Sequence, residues 1–286
     1  MLSSLTRSQS QSIRQEMEHM RIGHPWSPTK GYPSNDRTST APVPTENSGF
    51  VQTLVTRSNN RYEFAFPVEG EETTLALIAE KKTKMLKNKY QIFDAMRGGA
   101  NSKLAKKSGH YVGVLRREKE YQGQACYTLC DSSREKGQLA AFVYDIPNIV
   151  SQVREGQPPR KMQAVLPDEA SKLPNDGTSS VKTNHNRLAE HLHNGTWQHH
   201  DLVVLRTRAP SFYEGQYRLN FQGRVLTPSV KNMQLENQTS VIVLQFGKVD
   251  DTRFHLDFKA PFTVVTAFAT ALAQFDLLTS FIVTAY

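Results

Sequence analysis

The strongest hydrophobic signal in the chain lies near its C-terminal end. Phe262, Val265, Phe268, Leu272 and Phe275 recur every three or four residues there, while Val264, Ala267 and Ala271 fill the other sides. A helix that is apolar all round needs protein or lipid on every face. The stretch Phe262–Ala273 runs for 12 residues, whereas a bilayer requires roughly 20. Extending it brings in Gln274 and Asp276, and an Asp at mid-membrane costs about 2.5–3.5 kcal/mol. The pattern therefore predicts a helix sheathed by protein, with Pro261 as its first residue because the fixed φ of proline suits that position.

Ahead of this helix the apolar positions follow a different period. Tyr62–Val68, Thr73–Ala79 (running into Glu80–Lys84), Tyr111–Arg117, Ala125–Cys130, Leu139–Asp145 and Met162–Pro167 read as short strands between turns. Asp201–Arg206, Tyr217–Phe221, Ser240–Phe246 and Arg253–Phe258 continue the series, the last two joined by a turn at Gly247–Thr252. Many short strands in succession predict an antiparallel sheet. With one apolar helix following, the expectation is a mainly β (α+β) fold: a closed antiparallel β-barrel filled by that helix. Such a barrel leaves no room for a large internal ligand.

Residues 1–48 are dense in Ser, Thr, Pro, Asn and Gln and poor in aliphatic residues. They cannot bury enough surface to offset their ordering entropy, so they are expected to form a disordered arm before a domain spanning 49–286. Within the domain, Asp168–His200 reads as an inserted loop carrying His185, His191, His193, His199 and His200.

Charge narrows the partners. The 286-residue chain carries a net charge of +8 and a pI near 9.4, with a mean hydropathy of −0.53. That balance favours anionic partners such as nucleic acid, anionic lipid or phosphorylated ligands. The two cysteines, Cys126 and Cys130, are too few for a disulfide scaffold and read as isolated reduced thiols. The histidines lack the cysteine companions and spacing of a usual zinc site, so no metal is expected. No Gly-rich phosphate loop, acidic metal cluster or nucleophile elbow is present, which leaves His110 as the only tempting general base. No catalytic residue and no cofactor are assigned.

Several strings go beyond patterning. Tyr217-Arg218-Leu219-Asn220-Phe221-Gln222-Gly223-Arg224-Val225 is followed by Ser229-Val230-Lys231-Asn232-Met233-Gln234-Leu235, then by Leu244-Gln245-Phe246-Gly247-Lys248-Val249 and Phe254-His255-Leu256-Asp257-Phe258. Ala267-Phe268-Ala269 and Phe275-Asp276 close the series. In this order they resemble the C-terminal domain of the tubby-like protein family. Arg97-Gly98-Gly99, Gly113-Val114-Leu115-Arg116, Pro159-Arg160-Lys161-Met162 and the basic run leading to Tyr90 match further strings of that family. The resemblance covers roughly residues 50–286 and is most specific at the C-terminal end. It departs at Asn101–His110, which reads as an insertion, and at the apolar tail Leu277–Tyr286.

The resemblance implies a twelve-stranded barrel threaded by a central helix, and a surface that binds phosphoinositides, especially phosphatidylinositol 4,5-bisphosphate. Carried over by motif, the binding residues are Lys81, Lys82, Lys84 and Arg116. Lysines at alternate strand positions project to one face, so Lys82 and Lys84 belong together and Lys81 points to the other side unless a bulge intervenes. Glu80 and Thr83 stand where the family commonly has basic residues, with Lys87, Lys89, Arg97 and Arg117 nearby in sequence to compensate. Asn220, Gly223, Lys231 and Asn232 read as structural, and Asp276 as a group satisfied inside the barrel mouth. The expected function is a monomeric, non-enzymatic, membrane-recruited adaptor, with phosphoinositide headgroups as ligand and a trafficking-complex partner on residues 1–48. Its place would be the cytoplasm, peripheral to a plasma or ciliary membrane. The alternative is a nuclear, DNA-binding regulator using the same basic surface.

Overall fold

A computed structural model of the chain describes residues 49–67, 73–84, 87–118, 124–132, 137–145, 161–168, 187–213, 216–225 and 227–276. The arm expected over 1–48 and the tail 277–286 lie outside these residues.

Twelve strands close into one antiparallel barrel. In chain order they are β1 (Val51–Ser58), β2 (Arg61–Phe66), β3 (Thr74–Lys84), β4 (Lys87–Asp94), β5 (Tyr111–Arg117), β6 (Gln124–Asp131), β7 (Gln138–Asp145), β8 (Met162–Pro167), β9 (Leu202–Thr207), β12 (Met233–Glu236), β13 (Ile242–Lys248) and β14 (Arg253–Phe258). β10 (Ser211–Tyr213) and β11 (Gln216–Arg218) form a separate two-stranded ribbon. Neighbours in sequence pair around the wall, β1 returns to β14 to close it, and β9 pairs with β12 across the ribbon. The short helices α1 (Ala95–Gly98) and α2 (Leu188–His193) sit outside, and α3 (Val264–Asp276) fills the interior.

The alternation of side chains along each strand explains the filling. Tyr62 and Phe64 of β2, Tyr90 and Ile92 of β4, and Phe254, Leu256 and Phe258 of β14 all point inward to one core with the helix. Every residue of α3 is buried. Phe268 meets Phe64 at 5.6 Å between ring centroids, and Phe275 meets Phe254 at 4.8 Å, edge to face. Full burial of a side chain of this size stabilises by about 1.5–3 kcal/mol, which makes the helix the principal organiser of the core. No helix among the described residues is long and apolar enough to cross a membrane.

The helix starts later than proline chemistry predicts. Its first residue is Val264, and Pro261 lies ahead of it. The start is fixed instead by a reciprocal cap: Thr266 N donates to Thr263 Oγ1 at 3.2 Å, and Thr263 N donates to Thr266 Oγ1 at 2.9 Å. Each threonine satisfies a backbone N–H that the first turn leaves without an intrahelical partner.

Candidate anion-binding site

At the C-terminal end of α3 the barrel mouth is polar. Asp276 is fully buried and accepts hydrogen bonds from Asn88 Nδ2 at 2.7 Å, Tyr90 OH at 2.8 Å and Tyr127 OH at 3.1 Å. Lys81 Nζ lies 3.2 Å from the same carboxylate. Arg57 stands 5.8 Å and Lys231 5.5 Å from the centre of the Phe275 ring. These cations also face the negative end of the helix dipole, where positive charge is stabilising. Burial first, and then the charge of Asp276, hold the Tyr90 and Tyr127 phenols far above their usual range, so both remain donors.

This geometry divides the four basic residues inferred from sequence. Lys81 is opposite Tyr90, shares its inward direction and is largely engaged at the mouth with Asp276. Lys82, Lys84 and Arg116 lie on the outer wall. The register places Lys82 directly opposite Lys89, and Lys89 directly opposite Arg116, so three cations form a row across β3, β4 and β5. Lys84 opposite Lys87 begins a second row at the strand ends. Of the other basic residues near this region, Arg117 shares the face of Tyr127 toward the mouth, and Arg97 donates through Nη1 to Gly109 O at 3.3 Å.

Like charges placed directly opposite on neighbouring strands destabilise a sheet. On this face Glu80 Oε2 lies 3.1 Å from Lys82 Nζ at a water-exposed position, where such a pair contributes little. The row covers roughly 10 Å, two interstrand spacings. Cations clustered on this scale can donate charge-assisted hydrogen bonds to several phosphate oxygens at once. Lys89, expected only to compensate from nearby in sequence, stands at the centre of the row, a place that local pattern does not give because β4 was not identified as a strand. Its signal was the position next to Tyr90 in a Lys-x-Lys-Tyr string.

The motif strings of the C-terminal half prove to be fasteners. Arg224 grips Asp257 with both nitrogens, Nε to Oδ2 at 2.8 Å and Nη2 to Oδ1 at 2.7 Å. Gln245 Nε2 donates to the same carboxylate at 2.9 Å, and His255 Nδ1 pairs with Arg224 O at 2.7 Å. Burial and the neighbouring Arg224 hold the His255 imidazole below its usual range, which keeps it neutral. Asn232 Nδ2 donates to Thr227 O at 2.9 Å and its Oδ1 accepts from Lys248 N at 2.8 Å. Asn220 Oδ1 accepts from Gln222 N at 2.8 Å, and Gly223 takes φ +79° in the turn that follows. These contacts close residues 219–225 and 227–232 over the outer wall of β13 and β14.

Other candidate groups are structural too. Cys126 and Cys130 are buried thiols, and burial pushes Cys126 up to about 12. His110 is held by Ser102 Oγ at 3.2 Å and Ser108 O at 3.1 Å. No group of three or more metal-ligating side chains occurs among the described residues. Part of the histidine-rich stretch forms α2 and a turn at Trp197–His199 against β7, β8 and β9; residues 169–186 lie outside the described structure.

Comparison with known proteins points to one family. The model of the Tub family matches residues 40–277. Tubby-related protein 1 of Mus musculus is 30% identical over 212 residues, 70% of this chain and 31% of that protein. Tubby-related protein 3 of Homo sapiens is 34% identical over 155 residues, covering 52% and 33%. Tubby protein homolog 1 of Caenorhabditis briggsae is 34% identical over 146 residues, covering 48% and 33%. The matched part is about a third of the length of these relatives.

Proposed function

The chain belongs to the Tub family, and from that premise we propose that its barrel is a phosphoinositide reader with phosphatidylinositol 4,5-bisphosphate as its preferred ligand. The observation that carries this reading is the row Lys82–Lys89–Arg116, set side by side by strand register with Lys84–Lys87 beside it. A multiply charged headgroup would set its phosphates against several of these cations at once. Each basic residue near an anionic leaflet contributes about 1 kcal/mol, so a handful gives reversible recruitment rather than permanent anchorage.

In this reading the protein is a non-enzymatic adaptor on the cytoplasmic side of a plasma or ciliary membrane. Residues 1–48 engage trafficking machinery and the barrel supplies the lipid-dependent tether. Lys81 acts from behind the wall, fixing the end of β3 to the buried helix end, while Lys82, Lys84, Lys89 and Arg116 contact the headgroup.

Vesicle flotation tests the site. Replacing Lys82, Lys84 and Arg116 together with Ala is expected to abolish flotation with bisphosphate-containing vesicles while leaving the circular dichroism spectrum unchanged. Undiminished flotation of a folded triple variant would reject this surface as the site.

A further inference from the structure

The basic face has a border that no strand supplies. Between α1 and β5, residues 99–110 leave the barrel and lie back on its outer wall. Leu104 packs there against Phe93, Tyr111, Val114 and Cys130, a cluster separate from the barrel interior. The loop is fastened at both ends. Asp94 Oδ1 accepts from Met96 N at 2.9 Å and Arg97 N at 3.2 Å, and the Arg97 side chain reaches the Gly109 carbonyl. His110, buried under the loop, bonds Ser102 on one ring nitrogen and the Ser108 carbonyl on the other. Gly98 completes the fit: a Cβ there would stand 2.7 Å from Ser102 Oγ and 2.9 Å from the His110 ring.

What this fastened loop presents is Lys106. Its side chain is exposed, and its Nζ sits 5.6 Å from the centre of the Tyr111 ring. Tyr111, Val114 and Arg116 share the outer wall of β5, so Lys106 stands on the face that carries Arg116. Partial desolvation, and after it the like charge of Arg116, hold Lys106 below the usual lysine range. The loop thus holds a second cation over Tyr111, on the same side of the wall as Arg116.

The geometry points to Lys106 as a further ligand of the anion site, supplied by the inserted loop, so that the face reads a headgroup bearing more than one phosphate. This rests on the phosphoinositide reading above and deepens it. Lys82 and Lys89 serve one end of the row, and Arg116 and Lys106 serve the other. A single phosphate is satisfied at either end, whereas a bisphosphate engages both. The loop therefore adds affinity mainly for the more highly phosphorylated lipid.

The test uses the full chain and phosphatidylcholine vesicles carrying either phosphatidylinositol 4,5-bisphosphate or phosphatidylinositol 4-phosphate. Lys106→Gln is expected to weaken bisphosphate binding about fivefold, the effect of one basic residue at an anionic surface, and to change monophosphate binding much less. Lys106→Glu is expected to weaken bisphosphate binding further. Arg187→Gln, which removes an exposed cation next to α2, controls for net charge and is expected to bind as the parent does. Two results would overturn the role of Lys106 while leaving the site intact. One is unchanged bisphosphate binding by both Lys106 variants alongside a clear loss in Arg116→Ala. The other is an equal loss on the two lipids, or an equal loss in Arg187→Gln. Unchanged binding by Arg116→Ala as well would instead remove the phosphoinositide reading on which the proposal stands.

Discussion

Removing the carboxylate at the end of the central helix, Asp276→Ala, takes one acceptor away from three hydrogen-bond donors and one ammonium: Asn88, Tyr90, Tyr127 and Lys81. Breaking a buried ion pair by deleting one partner costs about 3–5 kcal/mol, and a buried donor left without a partner costs about 1–3 kcal/mol. These terms do not add, because the Lys81 side chain keeps 12% of its surface in contact with water and the mouth can admit solvent. The expected destabilisation is therefore about 3–5 kcal/mol in total, set against the roughly 5–15 kcal/mol that holds a typical domain together. Asp276→Asn keeps an oxygen for the donors and leaves Lys81 uncompensated, so its cost should be smaller, about 1.5–3 kcal/mol. Adding Lys81→Met to Asp276→Asn should recover part of that loss, since an apolar group then replaces the stranded charge. Urea unfolding followed by circular dichroism measures all three, with an unchanged slope showing that the same surface is exposed. A loss below about 1 kcal/mol for Asp276→Ala, or a further loss on adding Lys81→Met, would refute the picture of a charge-compensated helix end.

Two further outcomes test the walls of the barrel. Burial pushes the Asp94 carboxyl up to about 7 from its usual 3.8, so the folded state holds this proton while the unfolded chain releases it. Its ionisation therefore lowers stability as pH rises from about 4 to 7 and adds nothing further above that. Asp94→Asn, which retains an acceptor for Met96 N and Arg97 N, should match the parent near pH 4 and exceed it by on the order of 1–3 kcal/mol at pH 8; thermal melts at the two pH values check the sign. At Gly247 a Cβ would lie 2.2 Å from Val225 Cγ2. Gly247→Ala should destabilise by about 1–3 kcal/mol, with partial rescue by Val225→Ala, because the obstacle is a side chain and not backbone.

The sequence disclosed most where one physical demand acted alone. The central helix was legible because thirteen consecutive positions, Val264–Asp276, had to be buried on every side, and they show no charge before Asp276. Its start was misplaced because Thr263 and Thr266 cap each other, which outweighs the preference of proline for a first turn. β5, β6, β7, β8 and β14 were legible from alternation. β1 was missed because Gln52, Thr53, Thr56 and Arg57 dilute its apolar face, and β12 because it is only four residues long. β4 was missed because Lys87, Asn88 and Lys89 read as part of a basic run. The stretch Tyr217–Phe221 was expected to be a strand, but pairing ends at Arg218, since Asn220 turns the chain by accepting from Gln222 N.

The same reasons explain what was legible of the cationic face. Alternation alone separated Lys81 from Lys82 and Lys84, and the structure places them on opposite sides of the wall. The link from Lys89 to Arg116 depends on strand register between segments more than twenty residues apart, which local pattern does not encode. Lys106 had no local signal at all. Its position comes from a loop whose few apolar contacts, Leu104 among them, become visible only when Phe93, Tyr111, Val114 and Cys130 are brought together.

The central claim is that cations set in register on the outer barrel wall recognise a phosphorylated headgroup rather than negative charge in general. Its most direct test compares binding to vesicles containing phosphatidylinositol 4,5-bisphosphate with binding to phosphatidylserine vesicles of equal surface charge, across a salt series. The account predicts much tighter binding to the bisphosphate vesicles, retained at a salt concentration that releases the protein from phosphatidylserine. Equal affinity for the two surfaces, lost in parallel as salt rises, would contradict it.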